Sequence, residues 1–354
     1  MEPGEIDAPE LFATEQLVLC RDDELGLRAV IAIDDTTLGP ALGGVRFRAY
    51  ASEAAGVIEC QRLAAAMTLK NAVAELPFGG AKSVMLQRGP VRDRAALMRR
   101  FGEFVARTGG AYLPGVDMGT TCGDLAHMAE GGAIVSCSDE DPSPWTALGV
   151  AAAIRAAVEH VDGRRGIDGV RVLIQGAGHV GGTLARDLVA DGAHVILADV
   201  DRERAEALAA EVGGTAVAAD AVLGTPCDVF APCAVARVAA PDTVGRLACR
   251  IIAGAANDTL SHRSVADSLQ ARGIVYVPDF VANAGGVIHI HSIRAQWDEP
   301  RLRAAVAAIG DRVSDLLARA DATGEMPLAT AEERAAQILA AARAGADTHG
   351  RIAA

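Results

Sequence analysis

The stretch VRVLIQGAGHVGGTLARDLVADGAHVILAD, residues 170–199, decides the fold of this chain. A nearly continuous apolar run, typical of a strand buried in a parallel sheet, leads into glycines in GxGxxG spacing and a helix-forming segment. Such glycines permit a tight turn and close backbone approach to a pyrophosphate, which the helix N-terminus faces. We therefore predict a doubly wound, Rossmann-type α/β domain. Its expected dinucleotide contacts in this turn are Gly176, Gly178, His179, Val180 and Gly181.

The second apolar run of this stretch ends at Asp199. An acid at that place accepts hydrogen bonds from the hydroxyls of an adenosine ribose and repels a 2′-phosphate, which predicts NAD as the cofactor. Arg202 and Arg204 follow closely and offset part of that repulsion. A glycine-rich turn in a purely structural βαβ unit is the alternative interpretation.

Three further short strands are predicted at residues 228–231, 250–253 and 274–277, each running into a polar or glycine-rich turn. Ligands of open parallel sheets bind beyond the carboxyl ends of the strands, so these turns should line the cofactor cleft. We place Asn257 and Asn283 there, although a single asparagine is more often a turn former than a ligand contact.

Length and charge limit the classes of partner. The 354 residues suffice for about two domains. The net charge of −13, without a basic stripe, argues against nucleic acid or a membrane surface as partner. The chain shows no signal-peptide pattern and no run of about 18 apolar residues, so a cytoplasmic location is expected. Seven dispersed cysteines without a CxxC pair predict reduced, mostly buried thiols and no metal site.

Lys70 and Lys82 are the only lysines among the 33 basic residues. An arginine keeps its proton, whereas a buried lysine amine can lose it, so lysine is needed where a proton must move. The pattern predicts a helix over residues 53–67 with Lys70 at its end, then a Gly-Gly turn and a strand over residues 83–86. Both lysines should therefore lie near one turn. Chance retention of two lysines is the plain alternative.

A polar, glycine-rich loop, GGAYLPGVDMGTTCGDL, carries Asp117 inside an otherwise apolar half of the chain. Loops of this composition are typical of functional sites. A strand over residues 27–33 and a helix over about residues 93–108 precede it, and from about residue 299 the chain is rich in helix-forming arginine and alanine.

Ordered segments extend from about residue 15 to residue 290 and include ALGGVRF, LAAAMTLKNAVAELPFGGAKSVM, GVDMGTT, PSPWTALGV, GAGHVGG, DVFAPCA, GAAND and PDFVANAGGVI. In this order they resemble the leucine, phenylalanine and valine dehydrogenases, relatives of glutamate dehydrogenase. The resemblance implies reversible oxidative deamination of an L-amino acid by NAD, which yields a 2-oxo acid, ammonia and NADH. It also implies a homo-oligomer.

The resemblance further implies roles for single residues. Lys70 would bind the substrate carboxylate, Lys82 would handle the attacking water, and Asp117 would exchange a proton with the substrate amino group. Two different cations are then needed, because one stays charged while the other gives up and regains a proton. Thr146 matches the threonine beside the nicotinamide. The remaining substrate-side matches are Gly43 and Gly44 in the backbone wall, Asn257, and the apolar pocket of Leu42, Gly115, Val287 and Ile290.

The substrate pattern departs from that of typical leucine and valine enzymes. Gly115 stands where leucine enzymes carry alanine and makes room for a ring, whereas Ile290 takes some room back. Stretches such as LGTPCDVFAPCA resemble actinobacterial phenylalanine dehydrogenases. We therefore expect phenylalanine to be favoured, with a branched-chain substrate such as leucine or valine as the alternative. Further departures at Leu69, Ala81, Met118 and Trp145 leave the catalytic groups intact.

The expected architecture is two domains whose cleft closes over the substrate, since hydride transfer requires exclusion of water. A catalytic and oligomerisation domain is expected over residues 1–140, completed by helices over residues 325–354. The dinucleotide domain is expected over residues 141–324. A catalytically silent relative that binds nucleotide or amino acid is the other alternative, and the three catalytic side chains disfavour it.

Overall fold

The computed structural model describes residues 13–136, 140–234 and 236–352, with side chains as far as residue 345. The chain divides into two units. Unit 1 comprises residues 1–140 and 335–354, and unit 2 comprises residues 141–334. Each unit is built around its own β-sheet.

Unit 1 combines a mixed sheet with helices. Its strands are β1 (Gln16–Asp22), β2 (Leu27–Asp35), β3 (Ala41–Arg48), β4 (Gly79–Leu86) and β5 (Tyr112–Val116). Its helices before residue 131 are α1 (Glu53–Val73), α2 (Arg94–Ala106) and α3 (Cys122–Glu130). Strand order across the sheet is β1-β2-β4-β3-β5, in which β2 runs antiparallel to β1 and β4, and β3 runs parallel to β4 and β5.

The two faces of this sheet bury different clusters. Successive side chains of β4 point to opposite faces, so Ala81 and Met85 lie on one face and Lys82 and Val84 on the other. Ala81 and Met85 belong to the large core, which also contains Phe101 of α2. Val84 belongs to a smaller cluster with residues of α1. Lys82 therefore lies on the face that α1 covers.

The two glycines predicted to form a turn are instead the first residues of β4. A Cβ on Gly80 would lie 2.1 Å from the backbone nitrogen of Thr68, so this glycine is needed where β4 passes against α1. The helix is longer than predicted and reaches Val73, which places Lys70 in its last turn. Thr68 and Gly80 each precede a lysine by two residues. The backbone segments that carry Lys70 and Lys82 therefore pass close to each other.

Unit 2 combines a parallel sheet with helices. Its strands are β6 (Arg171–Gln175), β7 (His194–Ala198), β8 (Thr215–Ala216), β9 (Val229–Pro232), β10 (Ile251–Ile252) and β11 (Val275–Tyr276). Its helices are α4 (Ser143–Asp162), α5 (His179–Ala190), α6 (Arg202–Val212), α7 (Val265–Ala271), α8 (Asp279–Ala282), α9 (Gly285–Arg294), α10 (Glu299–Ala307) and α11 (Ile309–Thr323). The helix α12 (Pro327–Ile352) begins in unit 2 and ends in unit 1.

The sheet of unit 2 has the strand order β11-β10-β9-β6-β7-β8, and each described pairing is parallel. Counted from β6 as the first strand, this is the order 3-2-1-4-5-6 read from the other edge, which defines the Rossmann fold. The predicted two-domain α/β architecture with a Rossmann-type domain is therefore confirmed.

The boundary of unit 2 near α12 lies ten residues later than residue 324, where the sequence places the end of the dinucleotide domain. Leu328 and Ala331 of α12 are buried, and Glu332 pairs with Arg263 of unit 2 at 2.6 Å. The first turns of α12 are therefore held by unit 2, whereas Arg343 near its end pairs with Asp35 of unit 1.

The cysteines agree only in part with the prediction of reduced thiols. Cys20, Cys60 and Cys227 are buried free thiols, and Cys233 and Cys249 are half-buried ones. Cys122 takes part in a disulfide, which corrects the prediction at this residue. Disulfide pairing depends on distance in the folded chain, which dispersed spacing does not reveal. Within the described ranges, no cluster of acidic, His and Cys side chains fits a metal ion, and no helix is long and apolar enough to cross a membrane.

Gly80→Ala should destabilise the protein by about 1–3 kcal/mol, because the new methyl group forces α1 away from β4. Gly89→Ala is the matched control, since within the part of the chain that the structure describes its Cβ would meet no atom within 4 Å. Urea denaturation of both variants measures the difference. Equal midpoints for the two variants would show that the contact between α1 and β4 tolerates a side chain.

Candidate active site

The sheet of unit 1 brings Lys82 and Asp117 into direct contact. Lys82 lies within β4, and Asp117 follows the last residue of β5. The parallel strand β3 pairs with both β4 and β5, so it sets the positions of the two side chains. Lys82 Nζ lies 2.7 Å from Asp117 Oδ2, and the lysine side chain is only 8% exposed. An amine and a carboxylate at this distance can exchange a proton directly.

Gly44 of β3 leaves the space in which this pair meets, and Gly43 allows β3 to approach the backbone of β4. A Cβ on Gly44 would lie 2.7 Å from the Cβ of Asp117 and 3.2 Å from Lys82 Nζ. A Cβ on Gly43 would lie 1.6 Å from the carbonyl oxygen of Ala81. Side chains at these two positions are therefore excluded, and the prediction that they form a backbone wall beside the substrate stays a prediction.

Asp117 is also held by a second cation, Arg46 of β3. Arg46 Nε lies 3.0 Å from Asp117 Oδ2, and its guanidinium also contacts Glu59 of α1. Burial alone would raise the pKa of Asp117, but the charges of Lys82 and Arg46 outweigh it and hold that pKa well below its ordinary value of 3.8. Asp117 is therefore a carboxylate at neutral pH and can serve as a proton acceptor.

The loop that carries Asp117 is tied to β3. The backbone N–H of Asp117 donates to Thr120 Oγ1 at 3.0 Å, and the same hydroxyl donates to the carbonyl oxygen of Val45 at 2.8 Å. Thr120 is buried, so neither bond competes freely with water. These bonds fix the backbone from which the Asp117 carboxylate projects.

The other predicted residues of unit 1 occupy the same sheet and helix. Lys70 lies half-buried in the last turn of α1. Leu42 is a fully buried residue of β3, and Gly115 lies on β5 opposite Gly44. Among the described residues, a Cβ on Gly115 would meet only the carbonyl oxygen of Ser136, at 3.4 Å, which is an ordinary contact.

The glycine-rich turn of unit 2 fits a dinucleotide. Gly178 is the N-cap of α5 and makes no side-chain cap bond, and a Cβ there would meet no atom of the described residues within 4 Å. The backbone N–H groups at the start of α5 therefore face open space, as phosphate binding requires. A Cβ on Gly181 would lie 1.9 Å from the carbonyl oxygen of Gly176, so this glycine is needed for helix–strand contact. His179 projects outward and contacts Asp141 at 3.0 Å, whereas Val180 is half-buried.

Asp199 stands at the end of β7 beside this turn. Its Oδ2 accepts the N–H of Ala177 at 2.7 Å and its Oδ1 accepts the N–H of Asp201 at 2.9 Å. Arg204 lies 3.6 Å from Asp199 Oδ1, whereas Arg202 is paired with Glu206 of its own helix. Of the two arginines considered from the sequence, Arg204 is thus the one that reaches this carboxylate.

Asn283 and Asn257 lie together in unit 2. Asn283 Nδ2 donates to Asn257 Oδ1 at 3.0 Å and to the carbonyl oxygen of Ala255 at 3.1 Å. The Oδ1 atom of Asn283 is buried and has no hydrogen-bond partner within the described chain. A buried acceptor without a donor is costly, so this oxygen suits a ligand with an N–H group, such as the carboxamide of a nicotinamide.

Thr146, Val287 and Ile290 lie on α4 and α9 of unit 2. The start of α9 packs closely on α4, since a Cβ on Gly286 would lie 3.0 Å from Thr146 Oγ1. Leu42 and Gly115 belong to unit 1, so the prediction that these four apolar positions line one pocket stays a prediction.

Sequence reasoning missed Arg46 and Glu59. Both side chains are mostly buried. Arg46 contacts Asp117 directly, and Glu59 contacts the guanidinium of Arg46. The position of Arg46 in the sequence could have indicated its role. It follows Gly44 by two residues on the same strand and therefore lies on the same face of the sheet. Glu59 is an acid within a largely apolar helix segment, which indicates a buried partner.

Comparisons with known proteins identify the family of this chain. Family models match residues 14–132, as the Glu/Leu/Phe/Val dehydrogenase dimerisation domain, and residues 197–309, as Glutamate/Leucine/Phenylalanine/Valine dehydrogenase. Leucine dehydrogenase of Thermoactinomyces intermedius is 38% identical over 314 residues, covering 87% of this chain and 86% of that protein. Valine dehydrogenase of Streptomyces albus is 38% identical over 339 residues, covering 93% of each. The crystal structure of L-tryptophan dehydrogenase from Nostoc punctiforme has a TM-score of 0.80 at 32% identity, covering 94% of this chain and 97% of that one.

The fold, the Lys82–Asp117 pair of unit 1 and the glycine-rich turn of unit 2 thus define a class of protein. It is the class of amino-acid dehydrogenases that carry a dinucleotide domain of the NAD(P) type. Given this identity and coverage, the chain belongs to the glutamate/leucine/phenylalanine/valine dehydrogenase family. The resemblance drawn from the sequence is confirmed, and so is the prediction of an enzyme. The chain is an L-amino-acid dehydrogenase.

Proposed function

We propose that this enzyme catalyses reversible, NAD-dependent oxidative deamination of an apolar L-amino acid, with a branched-chain substrate favoured over phenylalanine. The observation that carries the proposal is the buried contact of 2.7 Å between Lys82 Nζ and Asp117 Oδ2 in a member of this family. A reaction that moves protons between substrate, water and ammonia needs paired acid and base groups of this kind.

We base the proposed substrate on the named relatives of this chain rather than on the space beside Gly115. The sequence predicts phenylalanine from the space at Gly115. Two of the relatives described above are named leucine and valine dehydrogenase, which supports the branched-chain alternative better. An apolar pocket discriminates by only about 1–3 kcal/mol per methylene, so overlapping activity on several apolar amino acids is expected.

Lys70, Lys82 and Asp117 divide the chemistry among them in this proposal. Lys70 anchors the substrate carboxylate, and Asp117 accepts a proton from the substrate ammonium group. The bound dinucleotide supplies the hydride acceptor for the substrate Cα–H bond. Lys82 first releases its own proton to solvent and then takes one from the water that attacks the imine carbon. Asp117 returns its proton to the amino group of the resulting adduct, and the hydroxyl proton leaves with ammonia as ammonium while the carbonyl group forms. The net products are the 2-oxo acid, ammonium, NADH and one proton.

The proposed cofactor contacts lie in unit 2. The turn before α5 and the first residues of that helix, from Gly176 to Gly181, hold the pyrophosphate. Asn283, Asn257 and Thr146 hold the nicotinamide half. Asp199 accepts the ribose hydroxyls, which supports NAD over NADP because its charge repels a 2′-phosphate. Arg204, at 3.6 Å from Asp199, weakens that repulsion, so the expected preference is modest.

We also propose that the enzyme is a homo-oligomer formed through unit 1. The matching family model for residues 14–132 is described as a dimerisation domain. In addition, β1 is an edge strand of its sheet, and Leu19 on that strand is 71% exposed. An edge strand with an exposed large apolar residue is a suitable surface for a second copy.

Lys82→Arg should lower kcat by about 100-fold or more, since a guanidinium cannot accept the proton of the attacking water. NADH binding, followed by fluorescence titration, should stay as in the wild type, because the dinucleotide residues belong to unit 2. Lys70→Ala is the companion variant and should mainly raise KM. Turnover of Lys82→Arg at the wild-type rate would exclude Lys82 as the base.

A panel of L-amino acids, assayed by NADH formation, tests the substrate proposal. We expect kcat/KM to be highest for leucine or valine, lower for phenylalanine and negligible for glutamate, whose charge would be unpaired in an apolar pocket. The methyl group of Gly115→Ala fits sterically and should lower activity on phenylalanine more than on leucine. A wild type that prefers phenylalanine would contradict the proposal, and equal kcat/KM with NADP in place of NAD would contradict the cofactor preference.

A further inference from the structure

Arg46 contacts two carboxylates, one of which belongs to the Lys82–Asp117 pair. Its Nε lies 3.0 Å from Asp117 Oδ2, the same oxygen that Lys82 Nζ contacts at 2.7 Å. Its Nη1 lies 2.6 Å from Glu59 Oε1. The side chain of Arg46 is 14% exposed, so a mostly buried guanidinium connects the carboxylate of the pair to a second carboxylate.

Glu59 in turn has a fixed position. It lies on α1, and the hydroxyl of Tyr50 donates to the same Oε1 atom at 3.1 Å. A line of polar contacts therefore runs from Tyr50 through Glu59, Arg46 and Asp117 to Lys82. Because the guanidinium is a rigid, planar group with several donors, it can orient two carboxylates at once, which a lysine amine does not do.

We propose that Arg46 is a positioning residue of the acid–base pair: it holds the Asp117 carboxylate opposite Lys82 and supplies a positive charge that persists throughout the reaction. This inference rests on the proposed deamination. When Lys82 passes its proton on, Arg46 becomes the cation that still contacts the Asp117 oxygen, and a guanidinium keeps its proton. Asp117 with a proton then remains a strong enough acid to return it to ammonia.

Loss of this charge has a predictable sign. A positive charge within about 4–6 Å lowers the proton affinity of a neighbouring group. Removing Arg46 therefore makes Asp117 hold a proton more tightly. The depressed pKa of Asp117, caused by Lys82 and Arg46 against the effect of burial, agrees with this direction.

The tyrosine and cysteine side chains around the pair stay neutral in the relevant range. Burial raises the pKa of Tyr50 and of Tyr112, whose hydroxyl lies 2.8 Å from Ser83 Oγ. Burial likewise raises the pKa of Cys60, whose Sγ lies 3.3 Å from the carbonyl oxygen of Lys82, to about 12. Lys70 adds a further charged group on α1, and every variant below retains it.

The test compares pH profiles of kcat and kcat/KM for Arg46→Gln and Arg46→Lys with those of the wild type. For Arg46→Gln we expect kcat to fall about 10–100-fold, KM to change little, and the acid limb of kcat/KM to move up by about 1–3 pH units. In Arg46→Lys the acid limb should move up by less than in Arg46→Gln, because the lysine retains the positive charge. Arg88→Gln, which removes an exposed arginine–glutamate pair at 2.5 Å, is the matched control and should leave the profile unchanged.

Glu59→Gln provides a second variant with the opposite sign. It removes the negative charge that partly neutralises Arg46, so the acid limb should move to lower pH, by less than in Arg46→Gln because Glu59 acts through the guanidinium. A merely structural role for these side chains would lower kcat in both variants without shifting the limbs in opposite directions. This variant keeps the test decisive even if Arg46→Gln does not fold.

Several results would overturn the inference. They are an unchanged profile in Arg46→Gln, a shift of the same sign in Glu59→Gln, or a rise in KM at constant kcat, which would make Arg46 a substrate anchor. Failure of the proposed function is distinguishable, because in that case the wild type itself would form no NADH with any amino acid of the panel.

Discussion

The buried contact between Lys82 and Asp117 is the constraint on which the rest of unit 1 depends. Two charges taken out of water cost several kcal/mol each unless their geometry is close and their remaining bonding capacity is met. The protein meets that requirement with Arg46 on the shared carboxylate oxygen, at 3.0 Å, and with Thr120, which fixes the loop backbone. A buried lysine without these partners would lower the free energy of unfolding. Its presence at this position therefore favours a functional role over a structural one.

The fold separates two tasks. The sheet of unit 1 holds the side chains that we propose move protons. Its adjacent parallel strands place a glycine of β3 next to the lysine of β4 and the aspartate after β5. The sheet of unit 2 holds backbone groups suited to phosphates, together with Asp199 and the buried oxygen of Asn283. Each set of contacts thus comes from its own stretch of sequence.

Sequence reasoning predicts those features whose cause is local. The glycine spacing and Asp199 belong to one βαβ unit, so the Rossmann-type domain and its turn follow from residues 170–199 alone. Lys82 stands out because the chain uses arginine almost everywhere else. Arg46 and Glu59 lie 13 residues apart on different elements, and their pairing depends on how α1 packs on the sheet, which no local pattern contains. The role of Gly80 was misassigned for the same reason: its close neighbour, Thr68, is on a helix rather than in the turn.

The ionisation state of Asp117 in the free protein is the most direct test of this account. Carbon-13 NMR of protein labelled at the aspartate carboxyl groups, with the signal assigned by its loss in Asp117→Asn, reports that state at each pH. At about pH 4, where an ordinary aspartic acid is already partly protonated, we expect the Asp117 signal to be that of a fully ionised carboxylate. A signal that titrates at or above the ordinary value of 3.8 would show that Lys82 and Arg46 do not hold this carboxylate as the structure indicates.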